Sequence, residues 1–456
     1  MKFKQCISAF GSLFIPLTLE EKHRTTVGAP APHRSFNHAL EALRAVAAGV
    51  VVIYHLVYVE RWVDPAFQPS GIAAYTAPGH FAVLLFFVLS GYVIGLNHPK
   101  ALAGSDIWRY LRKRFTRIYP MYMVALIAGF VASGFAYSWA TMGWHLVFGI
   151  NKLPVPTIME NGPIWSLQFE VLFYLLFIPL SMLRARPWLV ALGSVGLAFW
   201  CLGADSAGSG RAASHYLLGF GVWSLGWALA ARGTASTGPI RFTKLASALL
   251  LFLSIEVFNV LTTVGQRILS FVSSYSMGAV DVSQWKSNYF MPTPIDLMAA
   301  PFAVLIVGQF LHFRGRAWSL FSTLLQWLPL YTLTYLLAHR NAPEAGKWII
   351  PALCYLGSIV LFHWPTDGIV ESACRKVVQR LVPAGAISYG LYIIHFPIMV
   401  VFHRISAFSG TPITFAARVV LILALTIGAA YWLEKKFQPW ARQLLNPRRS
   451  MAPAVP

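Results

Sequence analysis

The stretch Leu40–Leu56, LEALRAVAAGVVVIYHL, decides the fold. It has the apolar character of a bilayer-crossing helix, which needs about 20 residues. Yet Arg44 stands near its start and His55 near its end. Ionisable groups inside a span face a protein interior or a water-filled path rather than lipid. Eleven steps at about 100° each bring the chain to within about 20° of its starting direction, with a rise of about 16 Å. One stripe of the helix therefore carries a cation low down and a titratable ring high up. Taken singly, each residue also has a plain structural explanation. Arg44 can snorkel to the headgroups, and His55 can sit satisfied at the far interface.

The rest of the chain extends this reading. Of 456 residues, 57% are hydrophobic and 11% charged, and mean hydropathy is +0.60. Soluble domains are about 25% charged. Apolar runs recur near 39–59, 79–97, 118–138, 164–183, 188–203, 214–231, 245–264, 296–313, 319–338, 348–365, 386–403 and 414–434. Lipid offers backbone groups no partners, so each run is expected to be a helix. The fold expected is all-α, a polytopic transmembrane bundle of about 10–12 spans. Residues 1–36 read as a cytoplasmic tail with an interfacial segment; they lack the small-residue cleavage site of a signal peptide. Residues 37–437 form the transmembrane domain, and 438–456 a basic cytoplasmic tail.

The net charge of +20 does not point to nucleic acid, because the basic residues sit in short loops between apolar runs. With the N-terminus inside, Lys and Arg fall on the inner side before 39 and at 98–117, 184–187, 232–244, 314–318, 366–385 and 435–456. That gives 26 inner residues against 8 in the outer loops. The asymmetry favours both termini in the cytoplasm, with lipid headgroups as the partners of the basic loops; the membrane expected is a bacterial inner membrane. The 4 cysteines are scattered and show neither metal-ligand nor disulfide spacing. No metal is expected.

Four further segments carry chemistry-bearing residues. Residues 86–94 read FFVLSGYVI, where Ser90 and Gly91 permit close helix packing. The run WRYLRKRFTRIYP, Trp108–Pro120, is a topology anchor and also a set of guanidinium groups suited to phosphate. WSLQFEVLFY, residues 165–174, places Glu170 inside a span, expensive unless it is paired. By depth Glu170 is expected beside His55. ISYGLYIIHFP, residues 387–397, adds His395, which also reads as a core polar residue.

In this order the segments resemble the acyltransferase-3 family of integral membrane acyltransferases. The matching residues are Arg44 and His55; Phe86, Phe87, Ser90 and Gly91; Arg114, Arg117 and Pro120; Trp165, Ser166, Leu167, Glu170, Phe173 and Tyr174; and Ser388, Tyr389, Leu391, Tyr392, His395 and Pro397. The chain departs from the family at Val171, where a second acidic residue is common. The resemblance implies transfer of an acyl group, often acetyl, from cytoplasmic acyl-coenzyme A to a hydroxyl. The acceptor implied is a sugar of a surface polysaccharide, a lipid-linked glycan or a glycosylated small molecule. In such a reaction His55 would act as general base or acyl carrier, oriented by Glu170. Arg44, Arg114 and Arg117 would hold the donor, and Ser90 with Gly91 would shape its channel. Trp165, Ser166, Tyr392 and His395 would contact the acceptor. A polytopic transporter or flippase for a polysaccharide precursor is the alternative; it would also use buried ionisable residues.

Overall fold

The structure, a computed structural model, describes residues 33–57, 63–149, 158–204, 209–232, 240–275, 291–311, 313–342 and 345–445. The tail before residue 33, with its expected interfacial segment, and the chain after 445 lie outside the described residues. Among the described residues regular structure is helical, with no strand. The helices are α1 (His33–Val57), α2 (Gly79–Asn97), α3 (Ser105–Ala132), α4 (Trp139–Leu146), α5 (Trp165–Met182), α6 (Pro187–Ala204), α7 (Ser209–Ala231), α8 (Phe242–Phe258) and α9 (Val260–Tyr275). They continue as α10 (Ala300–Phe310), α11 (Arg316–Trp327), α12 (Leu330–Ala338), α13 (Ile349–His363), α14 (Gly368–Gly385), α15 (Ser388–His403), α16 (Pro412–Trp432) and α17 (Gln438–Leu445).

Among the described residues 8 helical stretches are long and apolar enough to cross a bilayer, or 9 if α14 and α15, bent by 65°, make one broken span. Pro187–Gly203 and Ala300–Phe310 are shorter apolar helices. The protein is thus an all-α polytopic bundle. Three boundaries differ from the hydropathy reading. Helix α3 begins at Ser105, well before 118, because the basic run Arg109–Arg117 is itself helical. The run 245–264 breaks at Asn259, whose ψ of 85° leaves the helical region. The run 319–338 divides at Leu328–Pro329, where α11 ends and α12 starts.

Helices α1, α2, α3, α5 and α15 surround the site, and α7 backs α2. That last contact is backbone against backbone. A Cβ at Gly91 would stand 2.0 Å from the Trp223 carbonyl oxygen, and one at Gly226 would stand 1.9 Å from that of Val88. Lipid gives helices no hydrophobic reason to associate, so close approach through small residues supplies the packing. A π-helical turn, Leu433–Phe437, follows α16 and directs Glu434 to the start of α15, where its Oε1 accepts from the Gly390 N–H at 3.2 Å. At the opposite end Arg418, 0% exposed, anchors the loop between α15 and α16. It donates to the carbonyls of Phe402, Ile405, Ala407, Phe408 and Val63.

Candidate active site

A cavity of about 120 Å³ lies between α1, α2, α3, α5 and α15. One buried water needs only about 10–15 Å³, so a phosphate or a short acyl group is within its capacity. Arg44, Arg114 and Arg117 line it from α1 and α3, Ser90 from α2, Ser166, Glu170 and Tyr174 from α5, and Ser388, Tyr389 and Tyr392 from α15. Residues separated by more than 300 positions thus meet around one space.

The cations dominate its electrostatics. Arg44 donates to Glu41 at 3.1 Å and lies within electrostatic reach of Arg117, Glu434 and Glu170. The Arg114 guanidinium stacks over the rings of Tyr174 and Tyr110, 5.6 and 5.8 Å from their centroids. Its Nε is buried with no hydrogen-bond partner. A buried, unmatched N–H is costly, and here it borders a cavity. Outside the spans, burial and then Arg114 and Lys113 hold the His98 imidazole below its usual range. The neighbouring end of the bundle is electropositive.

Glu170 is not beside His55, contrary to the depth argument. Its Oε1 accepts from Ser90 at 3.1 Å and from the Tyr174 hydroxyl. Two acceptor bonds and the nearby guanidinium groups account for a carboxylate in a span. Ser90 also accepts from the Trp223 indole at 3.3 Å.

His395 occupies the place expected for Glu170. Its Nε2 stands 3.1 Å from Nδ1 of His55, with ring centroids 5.0 Å apart. The tautomers follow from the carbonyls at each ring. His395 Nδ1 is 3.1 Å from Leu391 O, and His55 Nδ1 is 2.8 Å from Val51 O. A carbonyl only accepts, so both Nδ1 atoms carry hydrogen. His395 Nε2 is then a lone pair accepting a share of the His55 Nδ1–H. The His55 Nε2 lone pair has no hydrogen-bond partner among the described residues.

The other expected contacts divide. Tyr392 donates to Pro163 O at 2.8 Å and accepts from Ser166 Oγ at 2.7 Å, and both residues line the cavity. Trp165 does not line it; the indole stacks on the His80 ring, centroids 6.4 Å apart. Gly91 is also absent from the wall, because its Cα face is taken up by Trp223. Asn161, which lies outside the sequence motifs, is 0% exposed. Its Nδ2 donates to Ala125 O at 2.9 Å and Ile393 O at 3.1 Å, tying α3 to α15 two residues before His395. The turn signal Asn161-Gly162-Pro163 was its only trace in the sequence. Among the described residues no group of three or more His, Cys, Asp or Glu side chains could hold a metal.

Comparison with known proteins places the chain in a family. The acyltransferase-3 family, described as an acyltransferase domain, matches residues 37–371. Acyltransferase MdmB of Streptomyces mycarofaciens is 34% identical over 151 residues, 30% of this chain and 38% of that protein. Protein 2 in picA locus of Rhizobium radiobacter is 30% identical over 156 residues, 29% of this chain and 75% of that protein. The chain thus covers well under half the length of the first relative. No solved structure matches. The chain belongs to the acyltransferase-3 family.

Proposed function

We propose that this chain is a membrane acyltransferase that transfers an acyl group, acetyl in the first instance, from acyl-coenzyme A to a hydroxyl of a sugar. The acceptor proposed is carried on a surface polysaccharide, a lipid-linked glycan or a glycosylated small molecule. The protein sits in the inner membrane with both termini in the cytoplasm. One observation carries this reading. The stripe of α1 ends in two unlike groups: Arg44 on a cavity with Arg114 and Arg117, and His55 with an unengaged Nε2. Acyl-coenzyme A has a matching polarity, with phosphates at one end and a thioester carbonyl at the other. The offset of about 16 Å along the helix is of the order of its connecting arm.

In the proposed step, His55 Nε2 takes the hydroxyl proton while the oxygen attacks the thioester carbonyl carbon. A C–O bond forms, the C–S bond breaks, and the proton passes from His55 to the departing thiolate. His395 Nε2 holds the His55 Nδ1–H and so keeps the attacking-side lone pair in place. Arg44, Arg114 and Arg117 bind the donor phosphates as charge-assisted pairs. Ser90 and Tyr174, bonded to Glu170, fix the wall between the two ends. Tyr392 and Ser166 border the acyl position.

The test is transfer of labelled acetyl from acetyl-coenzyme A to cell-envelope glycan by purified protein. Turnover in the wild type and its loss in His55→Gln are expected. Glycan crossing the membrane without consumption of acetyl-coenzyme A would support the flippase reading instead.

A further inference from the structure

A second cavity collects positive charge far from the motif residues. It lies between α8, α10, α11 and α13, measures about 430 Å³, and shares no lining residue with the cavity above. Arg241, Lys244 and Arg314 line it, and no Asp or Glu does. None of the three forms an ion pair among the described residues. Their placement compounds the excess. Arg241 is the N-cap of α8, Lys244 lies in that helix's first turn, and Arg314 precedes the N-cap of α11. Helix N-termini bear partial positive charge and disfavour cations. Lys244 is also within electrostatic reach of Arg241.

The carboxylate that meets this end of α8 is already engaged. Glu371 accepts from the backbone N–H groups of Phe242 at 2.7 Å and Thr243 at 2.9 Å. His363 contributes a donor instead. The Trp327 indole N–H, which can only donate, points to His363 Nε2 at 2.9 Å. His363, which lines the cavity, therefore carries its hydrogen on Nδ1. The apolar part is closely packed. Trp318 lies over Gly308, where a Cβ would meet the ring at 2.2 Å, and packs edge-on against Phe313.

We propose that this cavity is a second anion site, for a phosphate group that enters at the membrane–water interface. Two guanidinium groups, an ammonium and an imidazole N–H match a phosphate in charge and geometry. Trp318, Phe313 and Phe362 line the same cavity and suit an attached apolar or aromatic group. The phosphate belongs either to an anionic phospholipid headgroup or to a soluble phosphate ester; basic pockets between spans are suited to the former. The site is separate from the acyl-transfer machinery and does not depend on which acceptor that machinery serves.

The full chain in neutral detergent is titrated with dihexanoyl phosphatidylglycerol and, separately, inorganic pyrophosphate, with binding read by native mass spectrometry. Saturable binding of at least one probe is expected. The double variant Arg241→Gln, Arg314→Gln should weaken it by about tenfold or more, since each lost charge-assisted contact is worth about that factor. The component of binding that this double variant removes should persist in Arg114→Gln, whose change falls in the other, donor-binding cavity. Arg314→Glu, at an exposed position, gives the same loss independently if the double variant does not accumulate. Binding of the lipid alone assigns a headgroup; binding of pyrophosphate as well assigns a soluble phosphate ester. Absence of saturable binding by either probe, or wild-type affinity in the charge variants, overturns the proposal.

Discussion

The histidine pair allows a graded prediction. Replacing His55 with Gln keeps a polar side chain but removes the titratable lone pair. Loss of a general base typically lowers the rate by about 10²–10⁴-fold, or about 2.7–5.5 kcal/mol. Replacing His395 acts at one remove. It deletes the Nε2 acceptor at 3.1 Å, yet Val51 O at 2.8 Å still holds the same Nδ1–H. The loss is then one neutral hydrogen bond, about 0.5–1.5 kcal/mol, or about two- to thirteenfold in rate. His395→Gln, whose amide oxygen can replace the acceptor, should fall at the mild end, and His395→Leu at the severe end or slightly beyond. The assay is initial-rate acetyl transfer at saturating donor, with protein levels matched. The expected order is wild type, His395→Gln, His395→Leu, then His55→Gln. Substantial turnover by His55→Gln, within about tenfold of wild type, would refute the base assignment. A drop in His395→Leu as deep as that of His55→Gln would refute the orienting role and make His395 a proton carrier.

Other expectations follow from the same geometry. Arg114→Ala and Arg117→Ala should each raise the KM for the acyl donor by about ten- to a hundredfold, from about 1.5–3 kcal/mol per charge-assisted contact, with little change in membrane insertion; an unchanged KM in both would leave the run as a topology anchor. Gly91→Ala should sharply reduce the amount of folded protein, because its Cβ would meet backbone at 2.0 Å and overpacking costs at least about 1–3 kcal/mol; normal accumulation on a size-exclusion profile would contradict the crossing described here. Arg418→Leu strands several buried carbonyls at about 1–3 kcal/mol each and should lower the melting temperature markedly, without a selective effect on donor KM. In a cysteine-free background, Lys113→Cys should resist an impermeant thiol reagent in intact cells while Arg404→Cys reacts; the opposite pattern would invert the assigned orientation.

How much of this was legible in the sequence depended on periodicity. A span announces itself by composition, so α1, α2 and α5 were placed within a few residues. The 11-residue spacing on α1 fixed which way Arg44 and His55 face, because helical geometry needs no partner to be computed. Helix ends defined by a single backbone angle, as at Asn259, leave no hydropathy signal. Pairing between spans was harder still. Depth alone put Glu170 level with His55, but depth leaves rotation and lateral position open. Helix α15 carries His395 to His55, and α2 carries Ser90 to Glu170. Arg418 stands in an otherwise apolar run, ITFAARVVLILAL, which marks it as costly. Its carbonyl partners come from the preceding loop and from Val63, and no local pattern announces them.

The relocation of Glu170 changes what the cavity does. Beside His55 it would stabilise an imidazolium, as the acid of a triad does. Beside Ser90 and Tyr174, within reach of Arg44, it offsets part of the charge of three guanidinium groups. A site with three uncompensated cations would hold a polyphosphate donor and its equally charged product alike. Uniform binding of that kind raises affinity without accelerating the chemical step. With the proposed acyl-coenzyme A donor, a fixed carboxylate would lower the affinity for both and favour release of the free coenzyme after transfer. The histidine pair meanwhile carries no formal charge before the proposed proton transfer: His395 Nε2 accepts, so that ring is neutral, and the base role requires a neutral His55 ring as well. A neutral pair in the span avoids the cost of a buried charge, and in the proposed step charge develops on His55 only as the hydroxyl proton arrives.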